Sequence, residues 1–143
     1  MDKITRQSLL DLLNGDWANY VSRFQGLSPA ARAVFLEKQG YKRLADLLAH
    51  IAAWWEVGLE NIGTYRRDPA FRQPEIEVDD FNASAVQRVR ARSDFDEIKT
   101  FEAARLNFIK VVKGLSEADF QDERVLDQIR MELVNHLEEH RIP

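Results

Sequence analysis

Apolar positions recur every three or four residues through most of this chain, which is the spacing of one face of an α-helix. The pattern predicts helices over about residues 5–24, 29–38, 42–65, 81–114 with a break or bend near Ser93, and 122–141. Ser28 followed by Pro29 predicts a helix start, because serine caps a helix and proline at the first position needs no N–H. Gly40 and the Asp68-Pro69 pair predict helix ends.

The segment from Pro69 to Asp80 contains two prolines and no sustained period. We expect a crossover loop here, with a brief strand over 75–78 as the alternative. Ser116 to Asp119 resembles a capping box with aspartate in place of glutamate, and predicts a helix N-terminus. Four long amphipathic helices with short connections, apart from this crossover, predict an all-α fold. We expect a four-helix bundle with a short extra helix, forming a single domain over residues 1–143.

Composition supports a folded protein with a real core. The chain has 143 residues, of which 45% are hydrophobic and 31% are charged, as in ordinary soluble domains. It has no cysteine, which excludes disulfides, thiolate metal sites and a cysteine nucleophile, and fits a reducing compartment. Residues 1–8 lack the apolar run of a signal peptide, and no stretch approaches the ~20 apolar residues of a membrane span. The sequence therefore predicts a cytoplasmic protein with no membrane partner.

The charge balance argues against a nucleic-acid partner. The formal net charge is −4, whereas nucleic-acid interfaces usually carry a clear basic excess. One locally basic segment, 87–92, is flanked on both sides by acidic residues. A solvated helix face explains this segment better than a phosphate-binding patch.

The only three histidines of the chain are His50, His136 and His140. His136 and His140 form an H-x-x-x-H pair, which places both imidazoles on one helix face about one turn apart. Both can then reach one ion at metal–nitrogen distances of about 2.0–2.1 Å. The helix dipole would also favour His140 without any metal, and His50 lies in an apolar segment where a histidine can simply be a satisfied core residue. Spacing alone leaves a shared metal site and these structural roles both open.

Two segments resemble a known family. The segment 41–56, YKRLADLLAHIAAWWE, is similar to the second helix of DinB-like proteins, in which a histidine precedes a short apolar stretch ending in tryptophan. The segment 135–140, NHLEEH, resembles their fourth helix. Within that superfamily the closest resemblance is to the ClbS/DfsB-type four-helix bundles. Two features depart from the family pattern: Tyr41 stands where a tryptophan is common, and the sequence ends three residues after His140, which predicts a thin wall on one side of the site.

The resemblance implies an up-up-down-down bundle that is often a homodimer. It implies that His50, His136 and His140 bind one divalent metal such as zinc or nickel. Three imidazoles leave an open position on a tetrahedral ion, which a water molecule or a low-molecular-weight thiol could fill. The implied activity is metal-assisted hydrolysis or thiol-dependent transfer on a reactive small molecule, with no catalytic residue assigned. The alternative is a non-catalytic bundle for dimerisation or ligand sequestration, with histidines in structural roles.

Several side chains near the histidines are weaker candidates. Asp46 and Glu132 each precede a histidine by one turn and could orient its ring, although helix capping or pairing with arginine explains them equally well. Glu56 could reach a pocket or remain a solvated carboxylate. Trp54 and Trp55 are expected in the core, with Trp54 the better candidate for a pocket wall. No nucleophile motif such as G-x-S-x-G is present.

Overall fold

The computed structural model describes residues 3–143. Met1 and Asp2 lie outside the described residues; they belong to the N-terminal segment, residues 1–8, in which no signal peptide is expected. Over the described range the protein is all-α and contains no strand. Its α-helices are α1 (Arg6–Asn14), α2 (Tyr20–Gln25), α3 (Pro29–Gln39), α4 (Leu44–Arg67), α5 (Val78–Arg88), α6 (Asp94–Gly114), α7 (Glu123–Ile129) and α8 (His136–Glu139).

The signals that delimit α3 and α4 act as predicted. The Ser28 side chain accepts a hydrogen bond from the Ala31 N–H at the start of α3. Gly40 ends the helix with a φ of +83°, a left-handed conformation that glycine adopts without steric cost. Helix α4 ends at Arg67, immediately before the Asp68-Pro69 pair. The brief strand considered for 75–78 is wrong, because this stretch is irregular until α5 begins at Val78.

The predicted continuous helix over residues 5–24 is wrong. Helix α1 ends at Asn14 and α2 begins only at Tyr20, with a turn between them. Gly15 leaves the helical conformation, with φ −106° and ψ −96°. The turn brings both Trp17 and Tyr20 into the core, where each is almost fully buried. The gain from burying two aromatic rings outweighs the helical hydrogen bonds lost at the break.

The predicted last helix, 122–141, is a composite. A single 3₁₀ turn at Asp119–Gln121 precedes α7, and a π-helical turn at Arg130–Asn135 separates α7 from α8. A π-helical turn carries an extra residue relative to an α-helix and is often found at functional sites. The interruption lies immediately before His136, and it therefore sets the rotation of the turn that carries both C-terminal histidines.

Helix α4 is the centre of the molecule. Helices α5, α6 and α7 pack against it, and α1 packs on α6. Trp55 on α4 is fully buried and makes an edge contact with Trp17 and a stacked contact with Phe101, with ring centroids 4.9 and 5.3 Å apart. This aromatic cluster fixes α4 relative to α6 and to the turn after α1. It also fixes the preceding turns of α4, which carry His50.

No helix within residues 3–143 is long and apolar enough to cross a membrane.

Candidate metal centre

The structure brings the three histidines together. His50 projects from the N-terminal half of α4, and His136 and His140 begin and follow α8. The ring centroids of His50 lie 4.9 Å from those of His140 and 5.6 Å from those of His136, and the two C-terminal rings are 5.8 Å apart. Only 7–8% of each residue is exposed. Three imidazoles bound through nitrogen to one tetrahedral ion would have centroids about 5 Å apart, given metal–nitrogen distances of roughly 2.0–2.1 Å.

Each of the three rings uses its Nδ1 atom for a hydrogen bond to an oxygen. A backbone carbonyl oxygen only accepts, so the His136 ring must donate from Nδ1 to it. Nδ1 of His50 lies 3.0 Å from Asn82 Oδ1, and Nδ1 of His136 lies 3.1 Å from the Glu132 carbonyl oxygen. Nδ1 of His140 lies 2.6 Å from Gln39 Oε1. With the proton on Nδ1, a neutral imidazole presents a lone pair at Nε2. His136 therefore presents Nε2 as its free nitrogen, and His50 and His140 do so when their amide partners present oxygen to Nδ1.

The Nε2 atoms of His50 and His140 are 3.1 Å apart. When both rings donate from Nδ1, these two atoms are both acceptors, and two facing lone pairs repel each other unless a cation lies between them. A divalent metal ion would turn this repulsion into two bonds.

The local electrostatics keep the rings neutral. Burial, followed by the proximity of His136, lowers the pKa of His50 to about 4. Burial and the other two rings lower the pKa of His140 to about 3, and burial also lowers that of His136. Metal binding requires the neutral imidazole. At pH 7 the cluster therefore has no protons to release from its Nε2 atoms before it can bind an ion.

Glu132 supports His136 mainly through its backbone. Its carbonyl accepts the ring N–H, whereas its carboxylate Oε1 lies 3.7 Å from the same Nδ1 atom. The side chain is fully buried, and burial raises its pKa to about 7. Oε2 accepts a hydrogen bond from Gln128, and Oε1 has no hydrogen-bond partner among residues 3–143. The carboxylate lies close to Gly58, where any Cβ would overlap it.

Aromatic N–H and O–H groups hold the helix that carries the two C-terminal histidines. Trp55 donates to the Glu132 carbonyl at 2.9 Å, and Trp17 donates to the carbonyl of Leu133 at 3.0 Å. Both carbonyls belong to the π-helical turn, whose irregular bonding pattern makes them accessible to outside donors. Tyr20 donates to the His140 carbonyl at 2.6 Å. Three buried aromatic side chains thus fix the backbone on which the cluster depends.

The other side chains predicted near the histidines lie in different environments. Asp46 does not orient His50, because its carboxylate bonds to Arg43 at 2.8 Å, the arginine pairing that was the alternative. Glu56 is an exposed carboxylate at the rim of a cleft. Trp55 is a core residue, whereas Trp54 is half-buried, packs on Phe81 with the rings tilted, and donates to Asn82 at 2.7 Å.

Two residues that contact the cluster, Asn82 and Gln39, could not be found from the sequence. Both are amides on separate helices, 32 and 101 residues from the histidines they contact. Neither residue belongs to a motif, and the position of each in its helix predicts only a partly exposed side chain. Glu139 was also overlooked: its exposed carboxylate lies 3.9 Å from His140 Nε2. Its adjacency to His140 in the sequence was the one available signal.

The cluster is compact, but it is not a preformed ligand cage. Within residues 3–143, no group of three or more histidine, aspartate or glutamate side chains stands in an arrangement that could hold a metal ion as it is. His50 and His140 have their donor atoms in place, and the third ring stands next to them. A cleft of about 540 Å³ lies between α4, α5 and α6, and no histidine lines it.

No protein-family model, curated protein or solved structure matches the chain.

Proposed function

We propose that this protein is a DinB-like four-helix bundle that binds one divalent metal ion, zinc, nickel or a similar metal, through Nε2 of His50, His136 and His140. The short Nε2–Nε2 distance of 3.1 Å between His50 and His140 carries the proposal. The three Nδ1 hydrogen bonds support it, because metal-binding histidines commonly donate their second ring N–H to an oxygen. His136 would supply the third nitrogen.

The activity proposed with this site is hydrolysis or thiol-dependent transfer on a reactive small molecule. A metal ion held by three imidazoles would act as a Lewis acid, and it would lower the pKa of a bound water molecule to about 7, which makes hydroxide available as a nucleophile. The protein's own part is to hold the three rings neutral, to orient them through their Nδ1 atoms, and to limit water access, since each ring residue is only 7–8% exposed. The exposed carboxylate of Glu139 would face an incoming ligand, because it lies on the Nε2 side of His140.

Metal binding is tested on protein purified without a histidine tag and treated with a chelator. We expect titration calorimetry with Zn²⁺ or Ni²⁺ to show one ion per chain, and His50→Ala or His140→Ala to abolish measurable binding. Asn61→Ala is the matched control, because Asn61 is a buried polar residue on α4 whose amide bonds to Gln73 and Gln128 and not to a histidine. Wild-type protein that binds neither ion, or histidine variants that bind as well as wild type, would overturn the proposal.

A second candidate function is sequestration of a small apolar ligand without catalysis. The cleft between α4, α5 and α6 favours it, because a volume of about 540 Å³ lies within the usual range for ligand pockets. Its walls are mostly apolar and include Ala49, Ala53, Leu59 and Ala104. This function predicts that Ala53→Trp blocks binding of an apolar fluorescent probe such as an anilinonaphthalene sulfonate, and that a chelator has no effect on the probe.

A further inference from the structure

Asn82 contacts two side-chain donors at once. Its Oδ1 atom lies 2.7 Å from the indole Nε1 of Trp54 and 3.0 Å from Nδ1 of His50. An indole N–H can only donate. The atom of Asn82 that faces Trp54 must therefore be the oxygen, since an inverted amide would oppose two N–H groups.

This orientation determines the proton position on His50. An oxygen that already accepts from Trp54 still has a second lone pair, and it offers His50 Nδ1 no proton. The Nδ1 atom must donate, and the Nε2 atom of His50 must carry the lone pair that faces His140. Trp54 thus acts on His50 through Asn82, although the indole itself makes no hydrogen bond to the imidazole.

The two donors and the acceptor come from elements that are fixed to each other. His50 and Trp54 lie one turn apart on α4, and Asn82 comes from α5 on the far side of the crossover loop. Phe81, next to Asn82, packs on Trp54 with ring centroids 4.2 Å apart. The equivalent acceptor for His140 is the half-buried amide of Gln39, for which the described residues provide no second donor. The ring of His50 is therefore held more firmly than that of His140.

We propose that Asn82 is a positioning residue, held by Trp54, that locks His50 in the Nδ1–H tautomer and so aims its Nε2 at the metal. This inference rests on the proposed metal site. It assigns a role to α5 and to the half-buried tryptophan that neither the aromatic core nor the ligand set requires. Loss of such a partner typically costs 10–100-fold in metal affinity.

The test uses four variants of the full chain. Asn82→Leu keeps the approximate size but removes the acceptor, and Asn82→Asp is the conservative control that restores an acceptor oxygen. Trp54→Phe keeps the ring but removes the indole donor, and the double variant combines it with Asn82→Leu. Two quantities are measured at pH 8: the affinity for Zn²⁺ by calorimetry, and the tautomer of His50 from imidazole ¹⁵N shifts in metal-free protein.

We expect metal-free wild type and Asn82→Asp to show His50 protonated on Nδ1 only. Asn82→Leu should shift the population towards Nε2–H and weaken Zn²⁺ binding about 10–100-fold. Trp54→Phe should produce a smaller change of the same kind, because the freed amide can then rotate. In the Asn82→Leu background it should add nothing further, since its effect passes through Asn82.

The failures of the two proposals are distinguishable. If wild type does not bind Zn²⁺, the metal function falls, while the ¹⁵N shifts still report whether Asn82 sets the tautomer. If wild type binds and Asn82→Leu binds equally well with His50 unchanged, the positioning role is overturned. If Asn82→Leu does not fold, the ¹⁵N shifts of Trp54→Phe test the proposal instead. An unchanged His50 tautomer in that variant would contradict the positioning role of Asn82.

Discussion

The two helical segments that contribute histidines to the cluster are built differently. Helix α4 is regular over its 24 residues. The C-terminal segment changes from α to π and back within Glu123–Glu139. Helix α4 keeps its shape because other helices bury several of its faces, whereas the C-terminal segment needs side-chain donors from Trp17 and Trp55 on its own carbonyls.

The difference shows two ways of placing an imidazole in the cluster. His50 sits on a rigid scaffold, and only its ring needs an orienting partner. His136 and His140 sit on a backbone that is itself held in place by aromatic N–H and O–H groups. We therefore expect substitutions around the π-helical turn to affect stability and the site together, and substitutions around α5 to affect mainly the site.

The largest expected effect on stability comes from adding a side chain at Gly58, where α4 packs closely against the π-helical turn. A Cβ at this position of α4 would overlap the buried carboxylate and Cγ of Glu132 in the π-helical turn. Overpacking costs about 1–3 kcal/mol, and alanine recovers about 1 kcal/mol of helix propensity. Because the overlap is with a fully buried side chain, the overpacking cost lies at the upper end of that range, and we expect Gly58→Ala to lower the free energy of unfolding by about 2 kcal/mol in urea denaturation. Gly63→Ala, on the same helix with only a flexible arginine nearby, is the control and should stabilise or have no effect.

A smaller effect is expected from removing one donor to the π-helical turn. Trp55→Phe removes the N–H that reaches the Glu132 carbonyl, which still accepts from His136. We expect a loss of about 1–2 kcal/mol in the free energy of unfolding, since a buried acceptor becomes less well satisfied. The same substitution at half-buried Trp54 loses the same atoms but leaves the turn untouched. Equal losses in the two variants would contradict the role given to the turn.

A further effect concerns the slope of stability with pH in metal-free protein. The lowered pKa values of the histidines mean that stability is lost as pH falls from about 6.5 to about 4. The raised pKa of Glu132 acts in the opposite direction, because the folded state holds its proton up to about pH 7. Each group changes the slope by at most about 1.4 kcal/mol per pH unit.

Glu132→Gln separates these contributions. Its unfolding free energy should rise more steeply between pH 5 and 7 than that of wild type, because the opposing contribution of the carboxylate is gone. Urea denaturation at several pH values measures both slopes. A variant with the wild-type slope would show that Glu132 does not titrate differently in the folded and unfolded states.

Much of the helical framework could be predicted because its signals are local. The serine cap and proline before α3, the left-handed glycine after it, and the proline after α4 each act within a few residues. The break after Asn14 and the π-helical turn could not be predicted, because both depend on distant partners. Trp17, for example, bonds to a carbonyl 116 residues away.

The candidate site was predictable to the same extent. The spacing of His136 and His140 and the apolar surroundings of His50 indicated inward-facing rings, and the structure brings the three together. The partners that decide ring orientation, Asn82 and Gln39, carry no pattern of their own. Asp46 had the helical spacing expected for an orienting group, yet Arg43 three residues earlier binds it instead.

The surroundings of His140 also bear on the order in which the protein folds. Its ring and carbonyl bond to Gln39 and Tyr20, which are 101 and 120 residues away in the sequence. Contacts between such distant segments close large loops and form late, after local helices have appeared. If the proposed metal site binds Zn²⁺, a metal titrated into refolding protein would capture only chains that have completed their fold, and the rate at which binding appears would measure the last step of folding.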